Sequence, residues 1–253
     1  MCGVFGYIGD LPRQDWPLAH RLLTALALAS ERRGTDASGY AALPTSGKLL
    51  WQRQPGPARE LFTGRGFGAL RRRRVMMAIG HTRFATTGLP TVNENNHPHL
   101  AGDWALVHNG FLPAHEEKAA RLRLSLASEC DSELLVQALC RYGEHAGPDV
   151  CLSLGGKQSV LTFNTRTRSM TAWTNGEMPL VAFRVKGWSA LWWASTEEIA
   201  REALAAVGLR ARFAAAEPGI VYRMEVRDGQ VEVTKTPARD PRTRAQTARG
   251  EWT

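Results

Sequence analysis

Cys2 stands directly after the initiator methionine. Its small side chain permits removal of Met1, which would leave a thiol and a free α-amine on one residue. Such an amine titrates near ~8, well below a lysine, so it can act as a base at neutral pH while the sulfur attacks. A small residue at a strand start is also an ordinary core residue, and position 2 alone does not separate the two readings.

Further residues with chemistry fall in short motifs. The chain reads Met-Cys-Gly-Val-Phe-Gly-Tyr-Ile-Gly at 1–9, Arg-Arg-Gly-Thr-Asp-Ala-Ser-Gly at 32–39 and Gly-His-Thr-Arg-Phe-Ala-Thr-Thr-Gly at 80–88. Asn-Asn-His-Pro-His follows at 95–99, His-Asn-Gly at 108–110 and Ser-Glu-Cys-Asp-Ser-Glu at 128–133. Each has an ordinary structural reading. Asn109-Gly110 is a strong hairpin-turn signal, His97-Pro98 makes a rigid loop corner, Arg83 follows a strand, and Asp131 sits where a helix N-cap belongs.

The elements that must hold these residues can be read from periodicity. Residues 2–9 read as a buried strand. Asp15 can cap a helix through about Ser30, with Leu18, Leu22, Leu26 and Ala29 on one stripe. Strands are expected over 37–43 and 48–53, joined by Pro-Thr-Ser-Gly, and over 75–82 and 103–109, with a polar loop at 86–98. Helices are expected over 114–124 and 132–142. Strands follow at 158–164, 169–174, 180–185 and 189–194. Ser195 to Glu198 has capping-box spacing and opens a helix that Gly208 ends. Strands over 219–226 and 230–235 close the fold, and a loose Pro/Arg-rich tail is expected from Pro237. About nine or ten strands in blocks and four main helices in two groups suggest an α+β architecture of antiparallel sheets between helix layers.

Composition bounds the class. The 253 residues are 43% hydrophobic and 22% charged, which excludes a disordered, collagen-like or coiled-coil chain. No apolar run approaches the roughly 18 residues of a membrane span, and no secretory signal is visible. Cys2, Cys130, Cys140 and Cys151 have spacings that fit neither a metal site nor a disulfide framework, which indicates a reducing, cytoplasmic setting. The seven histidines are scattered and lack ligand spacing, so no metal is expected, and no cofactor is implied. The net charge of +8 draws on a dense run, Arg71 to Arg74, and on a basic tail. Solvated surface is the first reading of that charge, an acidic partner the second. Nucleic acid ranks last, because no basic helix with interleaved aromatics is present.

Taken together, the motifs in this order resemble the class II glutamine amidotransferase domain of the N-terminal nucleophile hydrolases. The pattern is nearest to the glutaminase domain of glucosamine-6-phosphate synthases. The likeness runs from Cys2 to about Lys235 and includes Gly-Glu-Met-Pro-Leu-Val at 176–181 and Trp-Ala-Ser-Thr at 193–196. It implies a four-layer αββα sandwich over residues 1–236, with 237–253 as a basic tail. It also implies that Cys2 attacks the side-chain amide of L-glutamine, that a γ-glutamyl thioester forms, and that water then releases glutamate.

By the same resemblance, the Asn109 side chain and the Gly110 N–H cradle the oxyanion. Arg83 takes the substrate α-carboxylate, as a planar bidentate cation can. Asp131 takes the α-ammonium, and Thr86 and His97 line the pocket. Arg33 and Asp36 support the N-terminus or form a structural salt bridge, outside the catalytic set. Two residues depart from the family pattern: Phe84 replaces a Trp or Tyr, and Thr87 replaces a His. Only residues 237–253 follow the domain, so a separate acceptor-binding synthase is the expected partner, with Arg71–Arg74 and the tail as docking candidates. A stand-alone hydrolase of another γ-glutamyl amide and a non-catalytic binding module are the alternatives.

Overall fold

The computed structural model describes residues 1–239. Its elements run in chain order as β1 (Gly3–Gly9), α1 (Trp16–Ser30), β2 (Ala37–Pro44), β3 (Leu50–Pro55), α2 (Ala58–Phe62), α3 (Arg65–Gly68), β4 (Val75–Arg83), β5 (His99–Ala101), β6 (Trp104–Phe111), α4 (His115–Arg121) and α5 (Ser132–Ser153). They continue as β7 (Lys157–Asn164), β8 (Ser169–Thr174), β9 (Val181–Val185), β10 (Ala190–Ala194), α6 (Glu197–Val207), β11 (Ala211–Ala215), β12 (Ile220–Arg227) and β13 (Gln230–Pro237).

Two antiparallel sheets carry the molecule. A seven-stranded sheet has the order β11-β9-β10-β1-β4-β2-β3, and a six-stranded sheet the order β13-β12-β8-β7-β6-β5. The central strands, such as β1 and β4, are buried along their whole length because both of their faces are covered. In β1, Phe5 and Tyr7 point toward α1 and α6, where they pack with Leu22, Leu26 and Ile199. Val4 and Ile8, one residue out of phase, point between the sheets onto Leu161, Phe163 and Trp193. On the far side, Leu106, Val160 and Trp173 pack against Leu135 and Leu139 of α5. The result is the four-layer αββα sandwich that the motifs implied.

The boundaries differ in instructive places. Thirteen strands are present among the described residues, and two of them, β5 and β11, match no strand range read from the sequence. The three residues of β5 are too few to show a period, and β11 is an edge strand with little buried surface. Helix α5 extends to Ser153 rather than ending at 142, because the chain bends at Gly143 (φ 73°, ψ −174°) and resumes as helix. The N-cap of α6 is Thr196, whose hydroxyl accepts from the Ile199 N–H. The capping-box reading placed it one residue early. The Ser195 hydroxyl instead accepts from the Val4 N–H at 2.8 Å and donates to the Val4 carbonyl at 3.3 Å. Asp15 occupies the cap position of α1 without a side-chain cap bond. Of the loose tail expected from Pro237, Pro237 is the last residue of β13, and the Ala238 and Arg239 N–H groups donate to the Gly219 carbonyl and to Asp149 Oδ1. Residues 240–253 lie outside the described residues.

Candidate active site

The site forms where β1 and β4 run out side by side. Gly3 pairs with Thr82 across the antiparallel ladder, so Cys2 continues opposite Arg83. An added Cβ at Gly3 would stand 2.5 Å from Thr82 Oγ1, so only glycine lets the two strands approach this closely. Cys2 Sγ lies 3.4 Å from the Phe84 N–H and 3.5 Å from the Phe84 carbonyl. Arg33 Nε donates to the Cys2 carbonyl at 2.6 Å. Burial pushes the Cys2 thiol up, the Phe84 backbone contact and the Arg83 charge draw it down, and the Asp131 charge raises it. Cys2 is half-buried, and its thiol, pushed up by burial, is protonated at neutral pH and needs a base to attack.

The second sheet delivers the other half. His81 of β4 has Nε2 3.1 Å from the carbonyl of His108 in β6, which ties the sheets together one residue before Asn109. The Asn109 side chain is 1% exposed, and neither its Nδ2 nor its Oδ1 has a hydrogen-bond partner. An orphaned buried amide is expensive to keep and points to a group it meets in function. Gly110 continues β6 opposite Gln158. An added Cβ there would fall 1.8 Å from the Lys157 carbonyl, so no other residue fits. Asn109-Gly110 is therefore part of a strand, not the hairpin turn that the dipeptide alone suggests.

Arg83 is buried and fully engaged on one edge. Its Nη1 donates to Asn96 Oδ1 at 2.8 Å, and its Nη2 reaches the carbonyls of Thr87 and Gly88. These bonds order the 84–90 loop, which Asp36 also grips through the Ala85 N–H at 2.8 Å. Gly34 packs under the same loop, where a Cβ would lie 2.3 Å from the Arg83 carbonyl carbon. Arg33 thus supports the N-terminus, as expected, whereas Asp36 holds the loop. Asp131 is buried at the start of α5, but its side chain does not cap that helix. Its Oδ2 accepts from the Leu112 N–H at 2.6 Å, just beyond Gly110.

The structure therefore gathers Cys2, Arg83, Asn109, Gly110 and Asp131 around the ends of β1, β4, β6 and the start of α5. Thr86 lies in the loop beside them and lines a cleft of about 520 Å³ together with Thr87, Leu89, His115, Glu116 and Glu129. Neither His97 nor Cys2, Arg83, Asn109, Gly110 or Asp131 is among the residues lining that cleft. His97 is buried behind the loop and stacked on His81 at 3.9 Å between ring centroids. The cleft wall formed by His115, Glu116 and Glu129 went unread in the sequence, where those residues look like a solvated helix face and loop. Only the Asn95 side chain, which bonds both Glu129 Oε2 and the Glu129 N–H, shows that the wall is fixed.

One sequence expectation is corrected here. The histidines are not scattered in space: His81, His97, His99 and His108 come together as β4, the loop, β5 and β6 converge, and Cys130 joins them. Donor atoms of His97, His99 and Cys130 all lie within 4.8 Å of one another. Linear spacing misses such a cluster because its members sit on different strands.

No family model matches the chain. In sequence it is similar to the glutamine–fructose-6-phosphate aminotransferase of Aquifex aeolicus, at 34% identity over 149 residues, 56% of this chain and 23% of the relative. The enzyme of that name from Campylobacter jejuni is 33% identical over 156 residues, 58% of this chain and 23% of the relative. The chain thus spans 23% of the length of these curated relatives. Among solved structures, a glutamine phosphoribosylpyrophosphate amidotransferase from B. subtilis superposes with a TM-score of 0.67 at 22% identity, over 92% of this chain and 49% of that one. Over that span the chain shares the fold of this amidotransferase. A glutamine aminotransferase class-II domain protein from Silicibacter pomeroyi has the same fold, with a TM-score of 0.57 at 16% identity over 94% of this chain and all of that one. The fold expected from the motifs is thus the fold of these solved structures. Among the described residues, no helix is long and apolar enough to cross a membrane.

Proposed function

We propose that this amidotransferase domain hydrolyses the side-chain amide of L-glutamine through Cys2 once Met1 has been removed. The α-amine of Cys2 takes the thiol proton, the sulfur attacks the amide carbon, and the proton passes to the departing ammonia. Water then cleaves the γ-glutamyl thioester and releases glutamate with the thiol restored. The observation that carries this reading is the buried, unpartnered Asn109 amide. It lies on the strand that His81 ties to β4, which runs beside Cys2. Its Nδ2 and the Gly110 N–H are donors fixed before any charge develops, which is the condition for stabilising an oxyanion.

Arg83 and Asp131 would hold the glutamine α-carboxylate and α-ammonium. Arg83 has N–H groups to spare beyond its bonds to Asn96, Thr87 and Gly88. Thr86 would close over the substrate with the loop, and His97 would act from behind it by setting the loop's position. Ammonia would then pass to an acceptor-binding synthase in the cytoplasm. The names of the curated relatives, which describe transfer from glutamine, support this step. The test is glutamate release by the matured protein and by Cys2→Ala. The proposal requires turnover in the first and only background in the second. Equal release by both would refute it.

A further inference from the structure

Behind the proposed glutamine site lies a donor set that glutamine hydrolysis does not use. His97 is 3% exposed, and both of its ring nitrogens lack a hydrogen-bond partner. His99 is 2% exposed, and its Nε2 is likewise unpaired. The two rings meet edge to face at 4.6 Å. Cys130 is 3% exposed and points its thiol toward Asp131 Oδ1 at 3.8 Å. A buried polar atom with no partner costs stability, and three such ring nitrogens on two imidazoles that each bring a donor atom near one thiol need an explanation.

We propose that His97, His99 and Cys130 form a cation site for zinc or a similarly borderline-soft divalent metal. Two imidazoles and one thiolate are the ligand chemistry such ions prefer. Around a tetrahedral ion with Zn–N of about 2.1 Å and Zn–S of about 2.3 Å, donors stand about 3.5 Å apart. The observed spread, within 4.8 Å, closes with side-chain shifts of roughly 1 Å. Water fills the fourth position.

The surroundings suit the charge. Burial holds both imidazoles neutral, with His99 lowered to about 3, so their lone pairs are free for a metal at neutral pH. Burial and the neighbouring Asp131 push the Cys130 thiol up to about 12. Metal binding therefore forms a metal–sulfur bond and breaks the S–H bond, with the proton leaving to solvent. The thiolate and the Asp131 carboxylate then offset the two positive charges of the ion. Arg53 and Arg83, which also act on His99, oppose it and limit the affinity. The loop is already rigid where it matters: Arg53 Nη1 donates to the carbonyls of Asn96 and Pro98 at 3.0 Å each, on both sides of His97.

The test uses the full chain in a Cys2→Ala background, which removes the thiol of the proposed nucleophile. Cobalt(II) titration should give a sulfur-to-cobalt charge-transfer band at one equivalent, displaced by zinc. Substituting Cys130→Ser should abolish the band. His99→Asn should weaken zinc affinity by more than the ~10–100-fold lost when an outer-shell partner is removed. Should a variant fail to fold by circular dichroism, alkylation of the Cys2→Ala chain at a urea concentration that exposes Cys130 in the metal-free protein decides, since bound zinc should shield Cys130 there in peptide mass spectra. Absence of a thiolate band, zinc affinity unchanged in both variants, or equal alkylation of Cys130 with and without zinc would each overturn the proposal. Because Cys2→Ala cannot turn over glutamine by the proposed route, this result stands or falls apart from the glutaminase reading.

Discussion

At the scale of single residues, the unusual feature is an asparagine that is wholly buried and bonded to nothing. Folding normally selects against such a group. Keeping it is reasonable if its Nδ2 hydrogen bond forms only when an oxyanion is present, because binding energy then goes to the transition state rather than the ground state. Replacing Asn109 with alanine should therefore lower kcat by about 10²–10³-fold and change KM little, the pattern of a lost oxyanion donor. Since the native amide makes no hydrogen bond, the same substitution should not destabilise the protein through lost bonding. Steady-state kinetics and urea unfolding on one preparation check both halves. Cys2 tells the complementary story. Burial keeps its thiol protonated, so a base must come with it, and its own α-amine is the base proposed.

At the scale of elements, the site depends on how the last residues of β1 are tethered. Ser195 substitutes a side chain for the next rung of the β1–β10 ladder, which ends at Phe5 and Ala194. Ser195→Ala leaves the buried Val4 N–H unpaired. It should cost about 1–3 kcal/mol of stability and lower kcat by freeing Cys2, measurable by urea unfolding and turnover of the matured protein. Much of this layer was legible in the sequence. Continuous apolar runs such as 2–9 and 75–82 announced strands covered on both faces, and the ordered motifs placed Cys2, Arg83, Asn109 and Asp131 in one family site. What escaped had a physical reason. Asn109-Gly110 carries the local chemistry of a turn, yet pairing with β7 keeps it in a strand. Asp131 has the residue type of a cap, but the Leu112 N–H claims its carboxylate. The cluster of His97, His99 and Cys130 is assembled by strand order alone, which no spacing along the chain encodes.

At the scale of the whole molecule, two sheets meet over a layer that is apolar at its centre and histidine-rich at the active-site end. His81, His97, His99 and His108 are all held below the usual imidazole range, chiefly by burial. The sign of the consequence follows from linkage. These groups stay neutral in the folded protein and gain protons in the unfolded chain near pH ~6.5. Stability should therefore be level above that pH and fall as acid is added. The slope should reach up to about 1.4 kcal/mol per pH unit for each histidine that stays neutral, continuing for His99 toward about 3. Urea unfolding of the metal-free protein at pH 7 and pH 5 checks this, with the lower stability expected at pH 5.

The chemistry of the whole domain converges on one atom, the sulfur of Cys2 beside its own freed amine. Incubating the matured chain with an electrophilic mimic of glutamine and mapping the adduct by peptide mass spectrometry tests that atom directly. The expected result is a single adduct on Cys2, prevented by excess glutamine and absent when Met1 is retained. An unlabelled Cys2 in correctly matured protein, or an adduct that glutamine does not compete away, would contradict it.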